Sequence, residues 1–430
     1  MDKYLLLAEA SRKATESEIR IVNEYEEKLS LTEDNRTSIK VSCSNGVCLR
    51  VIKKKRMGFS SCGNLDSSLV EKAYFSSRYG PKANFSFPRG CMSDVEVYDK
   101  KKHDLQELVE KGDEMREVMD RARSVSYVIL IQKKLLCISL LNTNGLDCTY
   151  KKSTYGAVVW AGVSDNSCGI YNVGWSCFLN RIDFPLLVES ALDKITTAQK
   201  RCKVHGVTSA IFSPGAVQTL LYILFKVINH GGKSKDRGTV KRNNRVANEQ
   251  FSLYDDGTLA FAPGSSPIDD EGISTQRTAL VEKGIVGGFI YDLKTAYDTG
   301  SRPTGNGFGG LLSMPTTLPT NLVIGLGDMS IDEMLRDMRA GVIIDGANIR
   351  GQNAIGDFLI SFDCGFRVEN GEIAGRLESG VAYANIYELL SDIRGVGNEL
   401  FQADRGLRVS LLTPLVYFGS LNVLDGSMQP

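Results

Sequence analysis

The sequence predicts an α+β protein: an N-terminal α+β region with antiparallel sheets and helices, followed by a β-rich, barrel- or sandwich-like C-terminal domain. Three observations carry this. In the N-terminal half, helical apolar spacing and strand-like alternation follow one another without a βαβ order. Beyond His205-Gly206 the chain turns to short strand-like runs divided by closely spaced glycines. Hydrophobic residues make up 42% of the chain and charged residues 24%, a balance that can bury a sizeable core. A length of 430 residues implies two or three domains. The expected spans are 1–95 and 96–205, both α+β, and 206–430, β-rich.

Taken in order, Lys3 to Leu29 reads as a helix, with Leu6, Leu7, Ala10 and Ala14 at helical spacing. Ser38 to Val51 alternates apolar and polar residues around Asn45-Gly46, the signature of a two-residue hairpin. Met57–Ser61 reads as a third strand. Asp66 is placed to cap a helix reaching Ser77. Pro81–Gly90 is a loop, and a helix spans Asp104–Ala122. Strand-like runs follow at Val125–Ile131, Leu135–Asn142, Asp147–Lys152, Ala157–Val163 and Ser167–Ser176, with Asn142–Gly145 as a turn. Pro185 opens a further helix, where its fixed φ suits the first turn. Past residue 205 the chief helices are Pro214–Asn229 and Ile331–Arg339, and Gly309–Pro319 is a long loop.

Several function classes lose support from composition. The formal net charge is zero, so the chain has no global pull toward nucleic acid or anionic membrane. The basic stretch Lys233–Arg245 lacks interleaved aromatics and reads as a solvated loop rather than a phosphate-binding site. The longest apolar runs fall short of the roughly 20 residues a bilayer needs. The N-terminal residues suit an amphipathic helix better than a signal peptide, so a cytoplasmic location is expected. Ten cysteines occur without Cys-x-x-Cys or finger spacing. They read as buried small hydrophobes or as disulfides, and Cys43 and Cys48 would face each other across the expected hairpin.

Metal chemistry is constrained by the histidine count. A catalytic zinc takes three ligands from His, Cys, Asp and Glu and leaves one position open. The chain has three histidines, His103, His205 and His230, too far apart for a His pair on one helix face. Asp269-Asp270-Glu271 precedes Gly272 and could serve acid–base work, hold a hard cation, or simply stabilise a turn. Tyr291, Asp292, Thr295 and Tyr297 lie within one short segment. The tyrosines could stack on a peptide or sit half in the core where a strand enters a capped helical turn. Asn306 lies in Thr304-Gly305-Asn306-Gly307, which can turn several N–H groups one way but is not a P-loop.

Ser213-Pro214-Gly215-Ala216-Val217 with the apolar helix after it, Asp269–Gly272, Tyr291–Gly300, Thr304–Gly307 and Val368–Ile373 resemble, in order and separation, the TldD/PmbA family, also labelled modulators of DNA gyrase. That family includes a zinc peptidase subunit and a homologous partner without the zinc motif. Where the zinc subunit's helix carries His-Glu-x-x-x-His, this chain has Tyr222, Ile223 and Val227. The stretch 405–419, where a C-terminal Cys ligand would be sought, has no Cys. The resemblance implies a PmbA/TldE-like, zinc-free subunit of a complex that degrades unfolded or short peptides, with zinc on a TldD-type partner. Peptide-binding residues are then sought at Asp269, Asp270, Glu271, Tyr291, Asp292, Thr295, Tyr297 and Asn306, and catalytic ones are not expected. The alternatives are a homodimeric peptide-binding or scaffold protein, and a metal-independent hydrolase using the Asp and Glu groups.

Overall fold

In a computed structural model, residues 2–122, 125–163, 169–197, 200–233, 240–377, 379–403 and 410–425 are described. The first element is the helix α1 (Lys3–Lys13), and here the chain departs from the expected longer helix. Residues Glu16–Thr32 form a strand, β1. Glu18, Ile19, Arg20 and Ile21 alternate polar and apolar with period two, which suits a sheet with both faces covered by different partners. The strand β2 (Thr37–Lys53) runs straight through Asn45-Gly46, so no hairpin forms there. Asn45 instead pairs with Asn23 of β1. Gly46 is needed for close approach rather than for a turn: a Cβ there would stand 2.4 Å from the Leu311 carbonyl oxygen. Cys43 and Cys48 therefore lie on one strand, five residues apart and on opposite faces.

The strand β3 (Arg56–Cys62) and the helix α2 (Ser68–Ser76) follow as expected, and the Asp66 carboxylate accepts the Ser68 N–H. The helix α3 (Leu105–Met119) is capped by Asp104. The paired runs expected after it fuse into two long strands, β4 (Val125–Asn142) and β5 (Asp147–Val163), followed by β6 (Gly169–Ser176) and the helix α4 (Phe184–Thr197). Lys133-Lys134 and Ser153-Thr154, polar enough to suggest breaks, continue their strands because Lys133 is paired with Glu27 and Ser153 with backbone groups.

The six strands form one antiparallel sheet in the order β3-β2-β1-β4-β5-β6. Outside the exposed stretch 37–45 of β2, odd-numbered side chains of β1, β2, β4 and β5 pack under the helices. Ile19, Val47 and Leu49 meet α1 and α2, while Leu29, Ile129 and Val159 meet α3 and α4. Even-numbered side chains face the C-terminal half.

That half is sandwich-like, and among the described residues its two large sheets are open rather than closed into a barrel. A ten-stranded mixed sheet centres on Gly206–Phe212, Gly341–Ile344 and Val416–Asp425. A six-stranded sheet centres on Leu253–Asp256, Asn321–Ile324 and Ser410–Thr413. The helix α5 (Pro214–Lys233) shares the core with them, burying Val217, Leu220, Leu221, Ile223 and Leu224 against Phe212, Leu253 and Ile324. Among the described residues three short helices follow: α6 (Leu293–Thr299), α7 (Ile331–Met338) and α8 (Ile386–Ser391). Among the described residues eight cysteines are free thiols and Cys364 is disulfide-bonded. Among the described residues no helix is long and apolar enough to cross a membrane.

Candidate functional site

The even face of the N-terminal sheet meets the C-terminal half across a polar seam. Glu18, Arg20 and Arg50 project from β1 and β2, and each is buried. They meet Asp270 and Glu271, which the C-terminal half supplies from the loop before Gly272. Arg20 donates to Asp270 and to the Gly310 carbonyl, and Arg50 donates to both Glu18 and Glu271. The loop is held from its own side as well. Asp269 accepts N–H groups of Glu271 and Ile273 at 2.9 Å and of Gly307 at 2.8 Å. Asp270 accepts the Gly309 N–H at 2.8 Å. Glu271 accepts the Leu293 N–H at 2.7 Å, the first turn of α6.

Two guanidinium groups thus face four buried carboxyl groups. Taking this excess negative charge out of water is costly, and protonation relieves it. Burial pushes Glu18 up to about 7 even though Arg50 pulls it down. Burial, with the Glu271 charge beside it, pushes Asp269 well above the usual carboxylate range. Arg50 is raised, the two carboxylates holding it charged against the cost of burial.

The other expected site residues fall around this seam. Asp292 caps α6 in a reciprocal capping box with Thr295, and both side chains are thereby engaged. Asn306, 1% exposed, donates to Asp255 and to the Leu318 carbonyl. Asp255 accepts from Thr320 and Asn306, and burial pushes it up to about 6. Tyr291 is half-buried, its N–H bonded to Thr304, and Tyr297 is 49% exposed. The structure therefore brings Asp269, Asp270, Glu271 and Asp292 into one network, with Asn306 in the adjoining loop. Tyr297 stands out on the surface.

Alongside the seam a groove of about 180 Å³ opens between the sheet and the C-terminal loops. Its floor is the even face of β1, β4 and β5, with Arg20, Glu24, Lys134 and Tyr150. Its wall includes Trp175 of β6 and Phe308, Leu318 and Pro319. Lys152 reaches the Ser265 carbonyl at 2.7 Å, and Tyr150 pairs with Ser266 at 2.9 Å. Charged donors and acceptors on an aromatic and aliphatic base suit a ligand with alternating amide and side-chain groups. Arg20, Arg50, Tyr150, Trp175 and Phe308 were not singled out from the sequence. For Arg20 the signal was the period-two pattern of Glu18–Val22.

Of the three α5 positions set against a zinc motif in the sequence, two have described side chains. Ile223 is fully buried among aliphatic side chains, and Tyr222 points outward at 61% exposure. The side chain of Val227 lies outside the described residues. His103 sits between Glu107 at 2.8 Å and Asp99 at 3.0 Å on the helix side of the N-terminal sheet, and His205 is exposed. Among the described residues no three His, Cys, Asp or Glu side chains form a metal-binding group. Residues 234–239 of the basic stretch, and the side chain of His230, lie outside the described residues.

Residues 205–425 match the PmbA/TldA metallopeptidase C-terminal domain, and residues 17–77 match PmbA/TldA metallopeptidase domain 1. An uncharacterized protein of Methanocaldococcus jannaschii is 27% identical over 97% of this chain and 99% of its own length. A metalloprotease of Methanothermobacter thermautotrophicus is 31% identical, over 37% of this chain and 35% of its own length. The fold superposes on TldE from Thermococcus kodakarensis with a TM-score of 0.83, at 21% identity, over 98% of this chain and 99% of that one. It also superposes on a Thermotoga maritima protein named for modulation of a DNA gyrase, with a TM-score of 0.85 at 23% identity over the same shares. With its C-terminal half and its first domain both matched, this chain belongs to the PmbA/TldD family of metallopeptidases.

Proposed function

We propose that this chain is the zinc-free, PmbA/TldE-like subunit of a two-subunit peptidase. In this reading its groove helps to hold an unfolded or short peptide while a TldD-type partner supplies the zinc. The observation that carries the reading is α5. It keeps the family's Pro-initiated helix but offers a buried Ile223 and an outward Tyr222 in place of metal ligands. Among the described side chains of that helix none is a His, Cys, Asp or Glu that could hold a metal to lower the pKa of a bound water or polarise a peptide carbonyl, so in this reading the chain's part is binding and support. Arg20 and Tyr150 would meet peptide carbonyls, while Trp175 and Phe308 would pack on side chains. Asp269, Glu271, Asp292, Thr295 and Asn306 would act one step back, holding the loops that shape the groove. Tyr291 and Tyr297 would extend the contact surface along α6. The reading places the complex in the cytoplasm.

The test is hydrolysis of a fluorogenic peptide, with zinc counted in the same samples. The chain alone is expected to be inactive and to hold no zinc. Adding a zinc-bearing family homologue from the same host should restore hydrolysis at one zinc per pair. Hydrolysis by the chain alone that survives chelation and is lost in Asp270→Asn would overturn the reading in favour of a metal-independent hydrolase.

A further inference from the structure

Zero net charge over the whole chain conceals a local excess at one end of the N-terminal sheet. β2 and β3 are joined by a two-residue turn, Lys54-Lys55, between the paired Lys53 and Arg56. Both turn residues take left-handed backbone angles, with φ of 49° and 58°. Asn-Gly suits such a turn best, because a Cβ is crowded at those angles. The two lysines are therefore strained. They gain no partner in exchange, since both are exposed and neither makes an ion pair among the described residues.

Neighbouring segments add to the turn. The Thr15 N–H donates to the Ile52 carbonyl at 2.8 Å and the Lys53 ammonium to the Lys13 carbonyl, which brings the Arg12-Lys13 end of α1 alongside. Lys82 bridges to Arg56, and the Ala83 N–H bonds the Lys55 carbonyl at 2.8 Å. Among the described residues Glu71, paired with Lys13, is the one carboxylate in ion-pair contact with these cations. Set into the same surface are two large rings that face water. Phe75 is 56% and Tyr79 79% exposed, and their centroids lie 5.9 Å apart. The Arg78 guanidinium stands 5.2 Å from the Phe75 ring and 5.9 Å from that of Tyr74, and the Lys53 ammonium 5.6 Å from the Tyr74 ring.

We propose that this surface, from the end of α1 across the Lys53–Arg56 turn to Tyr79, binds a single-stranded nucleic acid. The cations take backbone phosphates, and Phe75 and Tyr79 offer ring faces on which unpaired bases stack. An acidic peptide would satisfy the cations and leave the rings unused. A bilayer that took up the Phe75 ring would have to take up the Arg78 guanidinium with it, at a cost that stacking on a base avoids. The helix α2 lies on the face of the sheet opposite the groove, so the proposal does not depend on the peptidase reading.

The test is fluorescence anisotropy of a short labelled oligothymidine titrated with the full-length chain at several salt concentrations. Binding is expected at low salt and should weaken as salt rises. Lys54→Asn with Lys55→Gly supplies the residues the turn favours, so the fold is kept while two phosphate contacts go. The slope of log affinity against log salt should then flatten by about 1.4, at about 0.7 per contact. Phe75→Ala with Tyr79→Ala, both at exposed positions, should weaken binding at least about fivefold with the slope unchanged. Inorganic polyphosphate, which has no bases, should bind this second variant as well as it binds wild type. On the wild-type chain alone, the single strand should bind more tightly than a duplex of the same length. Absence of oligothymidine binding at low salt overturns the proposal, as does equal or tighter binding of the duplex. An undiminished affinity in the folded Phe75/Tyr79 variant does the same. Phosphatidylserine vesicles binding where oligothymidine does not would assign the surface to a membrane and overturn it as well.

Discussion

Glu18 shows what a single side chain contributes at the seam between the two halves. Its carboxyl is buried, shares Arg50 with Glu271, and is pushed up to about 7. A folded pKa raised above the ordinary value of 4.5 gives stability that is fully present below that value and lost as pH rises through about 7. Glu18→Gln removes the titration and leaves Arg50 its bond to Glu271. Between pH 5 and pH 8 the stability of the variant relative to wild type should rise by up to about 3 kcal/mol, the equivalent of that displacement. Urea denaturation at the two pH values measures this, and an unchanged difference would sink the assignment. The acid triplet was legible in the sequence because three adjacent carboxyls before a glycine are conspicuous. Its basic partners were not. Arg20 and Arg50 are some 220 to 250 positions away, as the separations of 250 and 221 in their bonds show, and pairing at that range leaves no local pattern.

At the scale of elements, local chemistry was most readable where it was self-contained. The helices α2, α3, α4, α5 and α7 announce themselves by caps, by Pro at the first turn and by apolar spacing. α6 was foreseen only as a capped helical turn, yet it has the full device: Asp292 accepts the Thr295 N–H, and Thr295 returns a bond to the Asp292 N–H. Its first-turn Leu293 N–H is also taken by Glu271, so the helix start is tied to the seam. Asp292→Ala should cost about 1 kcal/mol, the usual value of an N-cap. Asp298→Ala at the exposed far end of the same helix should cost much less, and comparison of their urea midpoints tests the ranking. The long strands were the elements misread. β1 carries enough charge to resemble a solvated helix, and Asn45-Gly46 carries the strongest two-residue turn signal in the chain. Both signals were overridden by tertiary context. The Glu and Arg positions of β1 face a charged partner instead of water, and Gly46 makes room for Leu311. Edge and interior strands look alike in sequence when their partners are remote.

For the whole molecule, the charged seam determines how independently the two halves can unfold. The N-terminal sheet buries its odd face under helices and leaves its even face, with Glu18, Arg20 and Arg50, to the C-terminal loops. Both tryptophans, Trp160 and Trp175, belong to this sheet, so their fluorescence reports on the N-terminal half and, through Trp175, on its contact with the C-terminal loops. In the wild-type chain the tryptophan signal and the far-UV circular dichroism should lose structure together in urea, because opening the seam strands paired charges in each half. Replacing both arginines, Arg20→Ala with Arg50→Ala, leaves Asp270 and Glu271 buried without their cations. Breaking a buried ion pair from one side costs about 3–5 kcal/mol. That penalty falls on the contact between the halves and not on the core of the C-terminal sandwich, which is built from Phe212, Leu224, Phe251 and Ile324 far along the chain. The tryptophan transition of the double variant should therefore move to lower urea and separate from the circular dichroism transition, which the larger C-terminal half dominates. Coincident transitions in the double variant would mean that apolar contacts across the sheet, such as Leu140 against Ile268, couple the halves more strongly than the arginines do.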